Sequence, residues 1–230
     1  VYFLEPIRNI IDLDLSFKES CESITRVLSL YESFSDKGLM NFKNGLIEFK
    51  NLSFTFDNRK SVLSNINLSI NKGDKVMIYG ESGCGKSTLL KLLMRYYEVD
   101  RGKVFISGID INDFKINSLR RNIAYISQNE ILFNDSLLNN LKFYSNDNDK
   151  VLSMTNLFEF NEILDNNLGL NMMIEENGFN LSGGQRQRIV LARTFLKQAQ
   201  VILIDEGFSQ IDVSLERKIL SNVFEKYVDT

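Results

Sequence analysis

With 230 residues, 43% of them hydrophobic and 25% charged, the chain has room for one large α/β domain or one domain with an appendage, and the composition of an ordinary globular protein. A net charge of −3 and a pI near 5.2 argue against a broad nucleic-acid-binding face, and no apolar run reaches the ~18 residues that a membrane span needs. Two cysteines, Cys21 and Cys84, with no metal-ligand spacing around them, fit a reducing cytosol rather than a disulfide framework.

The sequence opens on Val1-Tyr2-Phe3-Leu4 without an initiator Met and reads as an internal fragment of something longer. Residues 1 to about 43 read as mostly helical: Ile7, Ile10, Ile11, Leu13, Ile24, Val27, Leu28 and Leu30 are interleaved with charges, and Asp12, Asp14 and Ser16 interrupt the stripe. A surface helix packed on its own domain is one account of this stretch. Ser35 to Gly45, polar and holding Gly38 and Gly45, has the texture of a linker.

From Leu46 the pattern changes. Ile47-Glu48-Phe49, Leu52 to Phe56 and Asn65 to Ile70 alternate as half-buried antiparallel strands do. Lys75 to Tyr79 is a more continuous apolar run, expected as a strand, and a helix is expected from Lys86 to about Tyr97. About residues 129–180 read as a helical, loop-rich insert. A helix is expected from Ser182, a strand over Val201-Ile202-Leu203-Ile204, and a helix from about Val213 to Tyr227. This order, an antiparallel β start, a helical insert and a return to the sheet, gives a layered α/β fold.

Three motifs carry chemistry. Gly80-Glu81-Ser82-Gly83-Cys84-Gly85-Lys86-Ser87 fits the P-loop pattern without departure, between an expected strand and an expected helix. Its glycines let backbone N–H groups turn toward phosphate oxygens, and the helix N-terminus adds partial positive charge. Lys86 is expected to reach the β- and γ-phosphates of ATP, Ser87 to ligate Mg²⁺ and Thr88 to touch the α-phosphate, while Cys84 reads as a small packing residue of the loop. Asp205 and Glu206 end the apolar strand at its carboxyl edge, where ligands of α/β sheets sit. In the P-loop scheme the first acid, Asp205, holds Mg²⁺. Leu181-Ser182-Gly183-Gly184-Gln185 then opens a basic helical run, with Ser182 a good N-cap and two glycines leaving N–H groups bare for an anion.

A P-loop together with LSGGQ resembles the ATP-binding cassette (ABC) ATPases, over about residues 46 to 230. The resemblance implies a P-loop NTPase fold with a central, mostly parallel sheet, an antiparallel β subdomain and a helical subdomain. It divides the chain into 1–43, the helical end of a transmembrane region plus linker, and 44–230, the ATPase domain. It makes Glu206 the general base and Gln128 the Q-loop glutamine that meets Mg²⁺ and the attacking water. Phe56 falls where an aromatic stacks on adenine, with a core aromatic as the competing account. Ser182, Gly184 and Gln185 belong to the patch that faces ATP held by a second, head-to-tail copy. Ser209 and Asp212 match the D-loop, where Gly207-Phe208 and Gln210 depart from pattern.

The same resemblance implies ATP and Mg²⁺ as ligands, a second nucleotide-binding domain and the transporter's own membrane domain as partners, no nucleic acid, and a place at the cytoplasmic face of a membrane. The N-terminal piece looks most like bacterial exporters of peptides, bacteriocins or lipids. ABC-type ATPases of DNA repair or chromosome organisation share the motifs but carry a long coiled coil between Q-loop and signature. The short stretch from Gln128 to Leu181 has no heptads. A regulator that binds without hydrolysing is a further alternative, disfavoured by Glu206. The chain has no histidine; the family's switch histidine is expected a strand beyond Thr230, so a chain ending here is expected to bind ATP and turn it over poorly.

Overall fold

The computed structural model describes residues 38–56, 61–127, 131–165 and 168–227. Of two compact units, Val1–Lys37 and Gly38–Thr230, all described residues belong to the second, so the helical pieces expected before Gly38 lie outside them. From Gly38 onward the linker is tied to the body. The Leu39 and Met40 N–H groups both donate to Asp113 O at 3.0 Å, and the Phe42 N–H donates to Ser118 Oγ at 2.8 Å.

Strands β1 (Ile47–Phe54) and β2 (Leu63–Ile70) form where the alternation is clean. The two alternating stretches expected around Phe49 and Leu52 join into one strand, with a register shift between them where Asn51 takes φ 48°. Helix α1 (Lys86–Leu93) follows the P-loop and buries Leu89, Leu92 and Leu93. It stops short of the expected Tyr97 because Arg95 turns into the left-handed region at φ 50°. Strands β3 (Val104–Ile106) and β4 (Ile109–Asp110) make a hairpin through Ser107-Gly108, both at positive φ as a two-residue turn demands. These strands complete an antiparallel sheet in the order β2-β1-β3-β4.

The remainder is helical with one parallel pair. In chain order come α2 (Ile116–Asn122), β5 (Ile123–Ile126), β6 (Asp135–Ser136), α3 (Leu137–Leu141), α4 (Asn148–Leu157), α5 (Asn161–Leu164), β7 (Met173–Ile174), α6 (Gly183–Phe195), β8 (Val201–Ile204) and α7 (Val213–Lys226). β5 pairs with β8 in parallel, Ile123 opposite Val201 through Ile126 opposite Ile204. That pair stands between two apolar cores. Ile123, Tyr125, Val201 and Leu203 face the core of the antiparallel sheet and α1, while Ile126, Ile202 and Ile204 face the core of α3 to α7. Leu92 is fully buried in the first core; its replacement by Ala would cost about 2–5 kcal/mol.

One expectation fails. Lys75 to Tyr79 joins no ladder among the described residues, and all of its side chains but the half-buried Ile78 are exposed, Tyr79 to 84%. A continuous apolar run reads as a strand covered on both faces, but covering requires neighbours. Here only Ile78 packs on the first core, and β5 is the ladder partner that β8 has among the described residues.

Candidate functional site

The P-loop takes the backbone its glycines permit. Gly83 lies at φ 79° with open space where a Cβ would stand, and Gly85 at φ 101° approaches Leu63 so closely that a Cβ would sit 2.8 Å from its Cδ2. Gly85 is also the N-cap of α1 and supplies no capping side chain, so the first turn from Lys86 to Thr88 offers its N–H groups to a ligand. Residues Gly80 to Cys84 are exposed. The Lys86 ammonium bends back across the loop and donates to Gly80 O and Glu81 O, each at 2.8 Å. Cys84, expected as a packing residue, is an exposed free thiol instead, because the stretch from Gly80 to Cys84 is itself exposed; its sulfur lies 3.8 Å from Lys86 Nζ.

Strand β8 delivers its acids as its apolar run requires. The Asp205 N–H extends the ladder by donating to Ile126 O at 2.9 Å, and the residue is 7% exposed. Ser87 Oγ donates to Asp205 Oδ1 at 2.9 Å, which joins the first turn of α1 to the end of β8. The Tyr125 hydroxyl donates to Asp205 Oδ2 at 3.0 Å. A serine hydroxyl on a buried carboxylate, beside a phosphate cradle, suits a hard cation that takes few protein ligands and keeps its remaining positions for water and phosphate. Glu206 is exposed next door and takes φ 57°, a left-handed backbone that a non-glycine residue adopts at a cost. Gly207 follows because a Cβ there would stand 2.7 Å from Ile204 Cγ2, and Phe208 packs on the helical core.

The signature forms the start of α6. Ser182 Oγ accepts from the Gln185 N–H at 3.2 Å, and Gln185 Oε1 accepts from the Ser182 N–H at 2.9 Å, a complete capping box. The Gln185 amide oxygen is therefore used in shaping the helix start. Gln210, the unusual D-loop residue, lies over the two glycines. A Cβ on Gly183 would meet its Oε1 at 2.2 Å, and one on Gly184 its backbone oxygen at 2.9 Å. Side chains any larger would push the D-loop away.

Sequence reasoning overlooked Gln187. Its Nε2 donates to Ser209 Oγ at 3.0 Å and to Glu206 O at 3.3 Å, and its Oε1 accepts from the Gln210 N–H at 2.8 Å. One side chain thus ties the signature helix to both ends of the turn after Glu206. Its spacing was the available signal, since Gln187 lies one helical turn after Gly183 and on the same face. Phe56 sits in an aromatic trio, edge-on to Phe54 at 4.8 Å and to Tyr97 at 5.1 Å. Gln128 lies outside the described residues, although β5 leads directly toward it.

A family model described as ABC transporter matches residues 63–209. The chain is 37% identical over 95% of its length to the ATP-dependent lipid A-core flippase of Photorhabdus laumondii. It is 36% identical over 94% to that of Pasteurella multocida and 35% identical over 95% to that of Escherichia coli strain K12. It spans 39% of the length of each of these relatives. Among solved structures, a bacterial Atm1-family ABC exporter with ATP bound aligns at TM-score 0.75 and 29% identity, over 84% of this chain and 34% of that one. The matched span runs from β2 through the P-loop, the signature and the Asp205-Glu206 pair to Ser209: the chain belongs to the ABC transporter family.

Proposed function

We propose that this domain works in pairs, head to tail, and drives export across a membrane by closing on ATP and opening after hydrolysis. The observation that carries the reading is the Ser87–Asp205 contact with Glu206 exposed beside it, a serine–carboxylate pair and an exposed acid next to the P-loop at one sheet edge. Lys86 and the N–H groups from Gly80 to Thr88 hold the phosphates, and Phe56 offers its ring to adenine. Ser87, Asp205 and Gln128 are the residues that would hold Mg²⁺, which when bound offsets charge on the phosphates. Glu206, with Gln128, orients the attacking water, and Glu206 accepts its proton as the bond to the leaving oxygen breaks in line.

The signature belongs to the second half of the site. This chain's P-loop already provides a cradle for its own nucleotide, so Ser182, Gly184 and Gln185 are assigned to the γ-phosphate of the opposite copy, with the Gln187-tethered D-loop between. Partnership with a membrane domain is supported by an exposed aromatic patch after the Q-loop. Ile131, Phe133, Phe143 and Tyr144 are all exposed, the Phe133 and Phe143 rings lie 5.2 Å apart, and the Arg193 guanidinium stands 5.5 Å from the Phe133 ring. Among the described residues no helix is long and apolar enough to cross a membrane, so the membrane helices of such an exporter are assigned to other segments. Of the peptides, bacteriocins or lipids that the N-terminal resemblance implies, the relatives' names put lipids first as the cargo class to test.

The deciding experiment compares ATP turnover and size-exclusion profiles of the chain with those of Glu206→Gln. Turnover is expected to fall by at least about a hundredfold, with ATP trapping the variant as a dimer. Equal, slow hydrolysis by both proteins would end the motor reading for this chain. A variant that stays monomeric with saturating ATP would end the head-to-tail reading.

A further inference from the structure

We infer that Tyr125 is a positioning residue of the Mg²⁺–ATP site, holding the Asp205 carboxylate in the one orientation that lets Ser87 serve the cation. The inference rests on the reading of Asp205 as the metal-site carboxylate and adds a residue that the P-loop, signature and acid motifs do not contain.

The register of the parallel pair brings the two residues to one face. Tyr125 lies opposite Leu203, and both face the core that α1 covers. Asp205 lies two residues beyond Leu203, and its N–H carries the ladder on to Ile126 O. Side chains two apart share a face and stand about 6.6 Å apart along a strand. A tyrosine leaning along its strand spans that gap with its ring and delivers its hydroxyl to the carboxylate, at 3.0 Å from Oδ2. Phenylalanine would fill the same space and deliver no donor.

The need for a second donor follows from Asp205 itself. Rotation about the last bond of an aspartate is soft, and at 7% exposure little water remains to hold the group. Ser87 holds Oδ1 only. A serine oxygen that ligates a cation still has its proton to give, and that proton must find Oδ1 where it now is. With Tyr125 on Oδ2, any turn of the carboxylate breaks two charge-assisted hydrogen bonds rather than one.

Tyr125 is itself braced from α1. Its ring lies 6.0 Å from that of Tyr96 at an interplanar angle of 73°. The Arg120 guanidinium stacks 4.8 Å from the Tyr96 ring and donates to Met94 O at 3.1 Å and Arg95 O at 2.8 Å, the carbonyls that follow α1. The P-loop helix therefore reaches Asp205 from both ends: directly through Ser87 in its first turn, and through Tyr96 and Tyr125 from beyond its last.

The test titrates Mn²⁺, followed by its free-ion paramagnetic resonance signal, onto the chain with saturating ATP, for the wild type, Tyr125→Phe and Tyr125→Leu. ATP binding in EDTA is measured alongside. Tyr125→Phe is expected to weaken Mn²⁺ about tenfold, the usual effect of losing a partner that orients a metal ligand, while metal-free ATP affinity stays within about twofold. Tyr125→Leu, which also removes the ring, is expected to match or exceed the loss of Mn²⁺ affinity. Mn²⁺ affinity unchanged in Tyr125→Phe overturns the inference, as does equal weakening of ATP with and without metal, which marks a packing role. A wild-type chain whose ATP binding ignores Mn²⁺ altogether overturns the reading beneath it, and is distinguishable because no variant is needed to see it.

Discussion

Ser87 and Asp205 meet at 2.9 Å, the first from the opening turn of the P-loop helix and the second from the end of β8. Ser87→Ala removes the donor to a buried carboxylate, which costs about 1–3 kcal/mol. Urea unfolding without nucleotide is expected to show that loss. ATP binding in EDTA should persist, while Mg²⁺-dependent turnover should fall to background. A variant with undiminished turnover would separate this pair from the chemistry.

Gly183 bears on the half of the site proposed to face a second copy. A valine there would drive its Cβ into Gln210, whose Oε1 lies 2.2 Å from that position. Gly183→Val, made in the Glu206→Gln background, is expected to retain ATP binding as a monomer and to lose the ATP-trapped dimer on size exclusion. Adding Gln210→Ala returns space to the signature and should restore part of the dimer. No recovery would mean that the glycine backbone itself, rather than the room above it, is what the second copy requires.

Phe56 distinguishes stacking from packing. Its partners Phe54 and Tyr97 keep an aromatic surface whichever account holds. If the ring stacks on adenine, Phe56→Leu weakens ATP by about 1–3 kcal/mol and Phe56→Tyr leaves affinity near the original. Calorimetric titration reads the difference. A Leu variant with a lower melting temperature and unchanged affinity identifies a core aromatic.

Two groups of opposite sign bear on stability at alkaline pH. Burial raises the Tyr227 phenol above its ordinary 10.0. The unfolded chain therefore releases that proton first, and the stability contributed is full below about pH 10 and lost as pH rises toward the folded value. Burial lowers Lys197 below its ordinary 10.5, although its ammonium donates to Arg120 O and Ile123 O. The folded chain releases that proton first, so stability rises with pH from the lowered value and levels off above 10.5. Tyr227→Phe removes only the opposing group, and its hydroxyl has just the weak Met154 sulfur at 3.9 Å to lose. Melting temperatures from pH 8 to 11 should decline less steeply for the variant than for the parent.

What the sequence made legible is what local rules determine. Val201 to Ile204 forms the expected strand because a short apolar run between polar ends has few alternatives, and Ser182 starts α6 because its capping box with Gln185 closes within one turn. Gly83 and Gly85 of the P-loop adopt positive φ. Other features depend on what lies across the fold. Tyr125 acquires its meaning from the parallel register with β8, and Gln187 from the return of the chain after Glu206. The run Lys75 to Tyr79 has strand composition, yet a ladder needs a second backbone. The Ser107-Gly108 turn carries the glycine signature of a two-residue hairpin loop.

The same run has a consequence for handling the protein. Val76, Met77 and Tyr79 stand exposed just before the nucleotide loop, and an unladdered apolar segment of this kind is a template for strand addition by another chain. Concentrated samples should therefore self-associate by a route indifferent to nucleotide and sensitive to a lysine at Met77. Any nucleotide-driven pairing must be measured above that background, in dilute solution.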